Sequence, residues 1–226
     1  MKIVVFHGQN HKGSTYHTTK LILDRVVSPG DTVLEFQANR IPPCVGCFTC
    51  FMKGEEKCPH REAFGPAAEA VEEADLVVAE SPAYVMGMTG QLKSLFDHFG
   101  YRWVVHRPHP SMRNKIGLAV STTAGAGAGR VTKDIARQFF WWGIPKTYRL
   151  GVAVAALSWQ EVSEKNKAKI GKKAEKLAGS IKKRLGKKAG KPNFRWRLIF
   201  SVIRKVMQGD GWNDTDKVYW KQNGWI

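Results

Sequence analysis

An α/β domain of three layers, built on a doubly wound parallel sheet of five strands, is the architecture this sequence predicts. Apolar, β-rich runs recur at residues 3–6, 33–36, 76–79, 116–120 and 148–155. Segments with helical character separate them, at 15–27, 63–73, 91–103 and 131–142. The runs lack strict alternation of polar and apolar residues, so both faces of the sheet are expected to be covered, as crossover helices require.

Taken in order, the first run starts almost at Met1 and reads as a buried strand. It ends in His7-Gly8-Gln9-Asn10-His11-Lys12-Gly13-Ser14-Thr15, directly ahead of the first helix. A helix start offers unpaired N–H groups and the positive end of a dipole, which suit a phosphate. Lys12, Ser14 and Thr15 add a cation and hydroxyls, while the spacing fits neither the dinucleotide fingerprint nor the Walker loop. A plain capping turn explains Ser14 and Thr15 equally well. Strand three ends in Ser81-Pro82-Ala83-Tyr84-Val85, whose small and apolar residues suit a flat ring. Strand four ends in Ser121-Thr122-Thr123-Ala124-Gly125, a flexible wall for a ring edge. Five such strands imply the flavodoxin-like order 2-1-3-4-5, with ligands at the carboxyl edge.

Strand two leads into all four cysteines of the chain: Cys44, Cys47, Cys50 and Cys58, spaced C-x2-C-x2-C-x7-C and followed by Pro59. A disulfide framework suits small secreted domains, and no signal peptide is evident. Zinc knuckles pair two C-x2-C units across a longer spacer than this one. An iron–sulfur ligand set fits the first three cysteines and the Cys-Pro, with a longer gap to Cys58 than ferredoxins use. Four reduced thiols, some of them lining a neighbouring site, remain the other reading.

At 226 residues and 43% hydrophobic content, the chain can form one full core with an appendage. The division expected is a domain at 1–190 and a basic extension at 191–226. The net charge of +17 is concentrated late. Residues 1–160 carry 18 Lys/Arg against 13 Asp/Glu, whereas 161–226 carry 18 against 6. No apolar run approaches the length that crosses a bilayer, and a cytoplasmic location is expected. Apolar residues from Ile170 to Leu185 mark a helix that caps the sheet, and 186–192 reads as a basic hinge. Residues 194–207 form a second amphipathic stretch, with Trp196, Ile199, Phe200 and Ile203 on one side. That side is expected to meet another subunit, giving a homodimer or higher oligomer; attachment to a membrane surface is the other use of such a helix. Trp212, Trp220 and Trp225 mark an ordered tail. The lysines lack a recognised nucleic-acid module, so no nucleic-acid partner is expected.

The segments GQNHKGSTYHT, PPCVGCFTC with its later CP, SPAYVMGMTGQLKSLFDH and STTAGAG occur in that order at successive strand ends. Their combination resembles the flavodoxin-like NAD(P)H-dependent FMN reductases, including the iron–sulfur flavoproteins among them, over residues 1–160. Gln9 and His11 stand where that family commonly has serine and arginine. The resemblance implies noncovalent FMN, its phosphate on Gln9, His11, Lys12, Ser14 and Thr15. Pro82, Ala83, Tyr84 and Val85 would hold the ribityl chain and ring, and Thr122, Ala124 and Gly125 would close the far side. It also implies that NAD(P)H is the reductant and that Cys44, Cys47, Cys50 and Cys58 can ligate a 4Fe–4S cluster. The electron acceptor would be a quinone, another flavin or a redox protein. Hydride transfer to a flavin requires no side-chain acid or base, so no catalytic side chain is assigned. A non-enzymatic electron carrier of the same fold is the alternative.

Overall fold

A computed structural model describes residues 1–185, 192–209 and 213–226, and in it five strands pair side by side in the order 2-1-3-4-5, all parallel. They are β1 (Lys2–His7), β2 (Thr32–Gln37), β3 (Leu76–Glu80), β4 (Ile116–Thr123) and β5 (Lys146–Ala153). The helices are α1 (Ser14–Val26), α2 (Thr49–Lys53), α3 (Arg61–Glu73), α4 (Gly90–Asp97), α5 (Ala128–Trp142), α6 (Glu164–Leu185), α7 (Phe194–Gln208) and α8 (Asp214–Gln222).

Alternate residues of each strand feed two separate cores, because successive side chains leave a strand on opposite faces. Val4, Phe6, Val77, Ala79 and Ala119 pack against α3, α4 and α5. Ile3, Val5, Leu76, Val78, Leu118 and Val120 pack against Ile22 and Val26 of α1 and Ile170, Ala174, Ala178 and Ile181 of α6. The capping role read from the α6 pattern is therefore carried out by the residues that mark it.

Of the boundaries that differ from the sequence expectation, two shape the sites. The last strand stops at Ala153, paired with Thr123, where β4 also stops. No strand remains to pair with the residues beyond, and Ala155 turns away at φ +53°. The fourth helix ends at Asp97 and tightens into a 3₁₀ stretch, His98–Arg102. That turn lets the buried His98 bond the Pro42 carbonyl through Nε2 at 2.8 Å.

The C-terminal helices pack on the chain itself. Trp196 stacks on Phe200, and Phe200 in turn stacks on Trp220 and meets Trp225 edge-on. The α7 side expected to meet another subunit thus has two of its rings engaged within the chain. Phe194, Leu198, Val202 and Val206 are exposed apolar residues of that helix. Residues 186–191 of the expected hinge at 186–192, and Trp212, lie outside the described residues. No helix among the described residues is long and apolar enough to cross a membrane.

Candidate functional site

The carboxyl ends of β1, β3 and β4 open into a cavity of about 420 Å³. Gln9, His11, Lys12, Gly13, Ser14 and Thr15 form one side, Pro82, Ala83 and Tyr84 a second, and Thr122, Thr123 and Ala124 a third. Of the twelve residues singled out from the sequence, ten line this space. Val85 and Gly125 do not, although each follows a lining residue in the chain.

The first loop is held by a close backbone approach. Gly8 donates its N–H to the Glu80 carbonyl at 2.8 Å, and a Cβ on Gly8 would lie 2.7 Å from that oxygen. Only glycine fits without displacing one of the two strands' ends. Just beyond, Gly13 precedes α1 as its N-cap, with no side-chain cap and no acidic residue in the first turn. Its leading N–H groups therefore keep their capacity to bind an anion. Behind them, Thr15 and Thr122 share a buried hydroxyl–hydroxyl hydrogen bond of 2.7 Å, tying α1 to the end of β4. Lys12 Nζ sits 5.3 Å from the Tyr16 ring centre.

The second loop is a two-residue hairpin turn. Tyr84 and Gly87 exchange backbone hydrogen bonds of 2.9 Å, and between them Val85 and Met86 take φ values of +47° and +64°. Both central residues of such a turn require positive φ, which a β-branched residue adopts only under strain. Asn or Gly would have announced this turn; Val-Met concealed it. Gly127, at φ +104°, admits the turn closely: a Cβ there would stand 3.2 Å from Met86 Sδ. The loops that follow β3 and β4 consequently touch.

Sequence reading missed the fourth wall. Val154, Ala156, Leu157, Ser158, Trp159 and Gln160, none of them singled out as site residues, complete the cavity lining. Trp159 is braced by a stacked His17 ring at 5.3 Å. The available signal was the polar Ser158-Trp159-Gln160 ending to an otherwise apolar run.

At the ends of β1 and β3, His7 and Glu80 form a buried pair, Nδ1 to Oε1 at 2.7 Å, with Glu35 3.5 Å from the other ring nitrogen. Burial by itself pulls the imidazole down, but the two carboxylates outweigh it and hold His7 above the usual histidine range.

A separate cavity holds the cysteines. Cys44, Cys47, Cys50 and Cys58 all line it, together with Phe51, Glu55, His60, Phe64, Asp97, His98 and Tyr101. It shares no lining residue with the strand-end cavity. It stands beside α3 and α4, so the edge expected for both sites resolves into two distinct spaces. Burial and the charges of Cys58 and Cys44 push the Cys50 thiol up to about 11, whereas hydrogen bonding with Thr49 holds Cys47 below the usual thiol range. Four thiols close enough to oppose each other's ionisation are a donor set for a cation-bearing group, which would remove that repulsion. One further polar atom in this wall lacks a partner: Tyr101 is 1% exposed and its hydroxyl has no hydrogen-bond acceptor. Among the described residues, no three His, Cys, Asp or Glu side chains are grouped around a point that a single metal ion would occupy.

A doubly wound sheet with an uncapped helix start and an open cavity at its carboxyl edge is the architecture of nucleotide- and flavin-binding α/β proteins. The comparisons agree. The NADPH-dependent FMN reductase family profile matches residues 1–158, and the chain belongs to that family. Its members are oxidoreductases that use FMN and NAD(P)H, and this chain is one. An iron–sulfur flavoprotein of Archaeoglobus fulgidus is 26% identical over 195 residues, covering 85% of this chain and 84% of its own length. A second iron–sulfur flavoprotein, of Methanocaldococcus jannaschii, is 29% identical over 140 residues, 58% of this chain and 67% of its own. Among solved structures, an azoreductase of Bacillus anthracis aligns with TM-score 0.57 at 18% identity, over 80% of this chain and 100% of its own. An NADH:FMN oxidoreductase in its apo form aligns with TM-score 0.56 at 12% identity, over 79% and 89%. These last two show the shared fold.

Proposed function

We propose that this chain takes electrons from NAD(P)H through FMN held in the strand-end cavity, and passes them to a second acceptor through a 4Fe–4S cluster on Cys44, Cys47, Cys50 and Cys58. The observation that carries the cluster is the convergence of all four thiols on one cavity, beside a buried tyrosine hydroxyl that lacks an acceptor. The C-x2-C-x2-C spacing with a later Cys-Pro favours the cluster over zinc, whose sites pair two C-x2-C units across a longer spacer.

FMN, when bound, supplies the capacity to accept a hydride from NAD(P)H and to release its electrons singly or as a pair. A 4Fe–4S cluster, when bound, supplies transfer of single electrons. The chain supplies the rest. Gln9, His11, Lys12, Ser14 and Thr15 hold the phosphate at the start of α1, where first-turn N–H groups and the Lys12 charge act together. Pro82, Ala83 and Tyr84 grip ring and ribityl chain from one side, with Val85 on the adjoining exposed turn. Thr122 and Ala124 bound the opposite side, with Gly125 next to them, and residues of the wall at 154–160 border the remaining flank. No side chain is required to move a proton in the reductive step.

Anaerobic purification, followed by a visible spectrum and assays of iron, acid-labile sulfide and FMN, tests this reading. The expected result is one FMN and a four-iron, four-sulfide centre per chain, with flavin absorbance bleached within seconds by NADPH. Bound FMN without iron or sulfide after reconstitution would remove the cluster. Flavin inert to both NADH and NADPH would instead mark an electron carrier.

A further inference from the structure

Helix α2 contains two of the residues around the cysteine cavity, Cys50 and Phe51, yet is only five residues long. A helix that short cannot sustain itself, since its few internal bonds do not offset nucleation and its last carbonyls lack partners. Its start is also unfavourable: Phe48, ahead of it, sits at φ +57° with no side-chain cap. Two of its carbonyls are taken by side chains from far along the chain. Arg107 Nη2 donates to the Cys50 carbonyl, and Thr215 Oγ1 donates to the Met52 carbonyl at 2.8 Å.

Both donors depend on α8. Thr215 lies in its first turn. Arg107, 2% exposed, is paired through Nη1 with Asp216, which is fully buried, and through Nε with Glu55 at 3.2 Å. Asp216 is itself fixed from three sides: it accepts from His106 Nδ1 and Asn213 Nδ2, each at 2.8 Å, and its backbone N–H donates to the capping Asn213 side chain at 2.8 Å. Trp220 Nε1 donates to the His106 carbonyl and Tyr219 OH to the Pro108 carbonyl at 3.2 Å, seating α8 along residues 106–108. Arg107 thus stands as a fork between the C-terminal helix and the cysteine loop, in the geometry guanidinium groups suit best.

We propose that α8 is a built-in clamp that sets the cysteine loop: Asp216 through Arg107, and Thr215 directly, hold α2 and Glu55 so that Cys50 and Cys58 face one shared occupant. Asp216, Arg107 and Thr215 are positioning residues in this scheme. The C-terminal extension then belongs to the redox site of its own chain, lying outside the region that matches the family profile.

Full-length Thr215→Val and Asp216→Asn, reduced and metal-free, test the clamp by anaerobic alkylation with iodoacetamide and peptide mapping of each cysteine. Cys50 and Cys58 are expected to react faster, about threefold in Thr215→Val and about tenfold in Asp216→Asn, as local opening of the loop becomes easier. Cys47, already exposed, and the affinity for FMN are expected to stay at wild-type values. Wild-type alkylation rates in both variants would overturn the proposal. So would a uniform rise at all four thiols with a lowered melting temperature in Thr215→Val, which signals general loosening. Iron and sulfide retention after reconstitution, expected to fall in the same order, forms a second arm that rests on the cluster reading. A wild-type protein that takes up no iron defeats that reading alone, since the alkylation arm still decides the clamp.

Discussion

The strand-end cavity is framed by loops that begin where paired strands stop, whereas the cysteine cavity is framed by a loop whose fixed points lie 57 and 163 residues away in the chain. In the first, the ladder itself delivers Gly8, Pro82 and Thr122 to one rim, with Ala83 bonded to the Thr122 carbonyl at 2.8 Å. In the second, a five-residue helix and a left-handed phenylalanine would have no set shape without Arg107, Asp216 and Thr215. The contrast shows two routes to preorganisation. A sheet edge positions ligand groups through backbone pairing, and an irregular loop does so only through buried charged side chains, each of which must be fully paired.

Substitutions can drive the two cavities apart. On the proposed reading, in which these thiolates ligate the cluster, replacing Cys50 and Cys58 together by serine is expected to abolish iron and sulfide binding, while FMN affinity stays within about twofold because the cavities share no wall. Colorimetric iron assay and fluorescence titration report the two halves. Lost FMN binding would show that the cavities are coupled. Gly8→Ala acts on the other side: a Cβ 2.7 Å from the Glu80 carbonyl displaces the first loop. It is expected to weaken FMN binding by tenfold or more and to cost about 1–3 kcal/mol of stability, with the thiols undisturbed. Lys12→Ala is gentler, lowering FMN affinity about tenfold through one lost charge-assisted contact. Riboflavin, lacking the phosphate, should bind both forms equally; an equal loss for both ligands would move Lys12 away from the phosphate.

Tyr101→Phe sharpens the account of the cysteine cavity. In metal-free protein it removes a buried hydroxyl without an acceptor and is expected to stabilise by about 1 kcal/mol in chemical denaturation. In cluster-loaded protein that gain should vanish and the midpoint potential should fall, since hydrogen bonds toward the sulfurs raise it. The smallest effect concerns His7. Its folded pKa is raised, so the native state binds more protons than the unfolded chain at pH values above about 6.5. The stabilisation is complete below pH 6.5 and declines as pH rises through the folded value. His7→Gln should flatten that slope in urea titrations run across pH 6 to 9; an unchanged slope would assign the proton to another group.

Much of the strand-end cavity could be read from the chain, and for a local reason. Each of its three recognised walls is a contiguous run following an apolar strand, so position in sequence already implies position on the rim. The fourth wall escaped because the apolar run from Leu150 onward carries no breaker, and only the end of β4 at Thr123 shows where pairing must stop. The turn at Val85 and Met86 escaped as well, because its residues are not those that positive φ favours.

From its sequence alone the chain determined five parallel strands, a helix start at their carboxyl edge and the crowding of all thiols into one loop, since these follow from local periodicity and spacing. Only the tertiary structure decided that residues 154–160 close the first cavity, that Tyr101 lines the second, and that α8 seats itself against the cysteine loop. Those outcomes depend on contacts between residues distant in the chain, where burial and the pairing of charges, rather than any local pattern, select the partner.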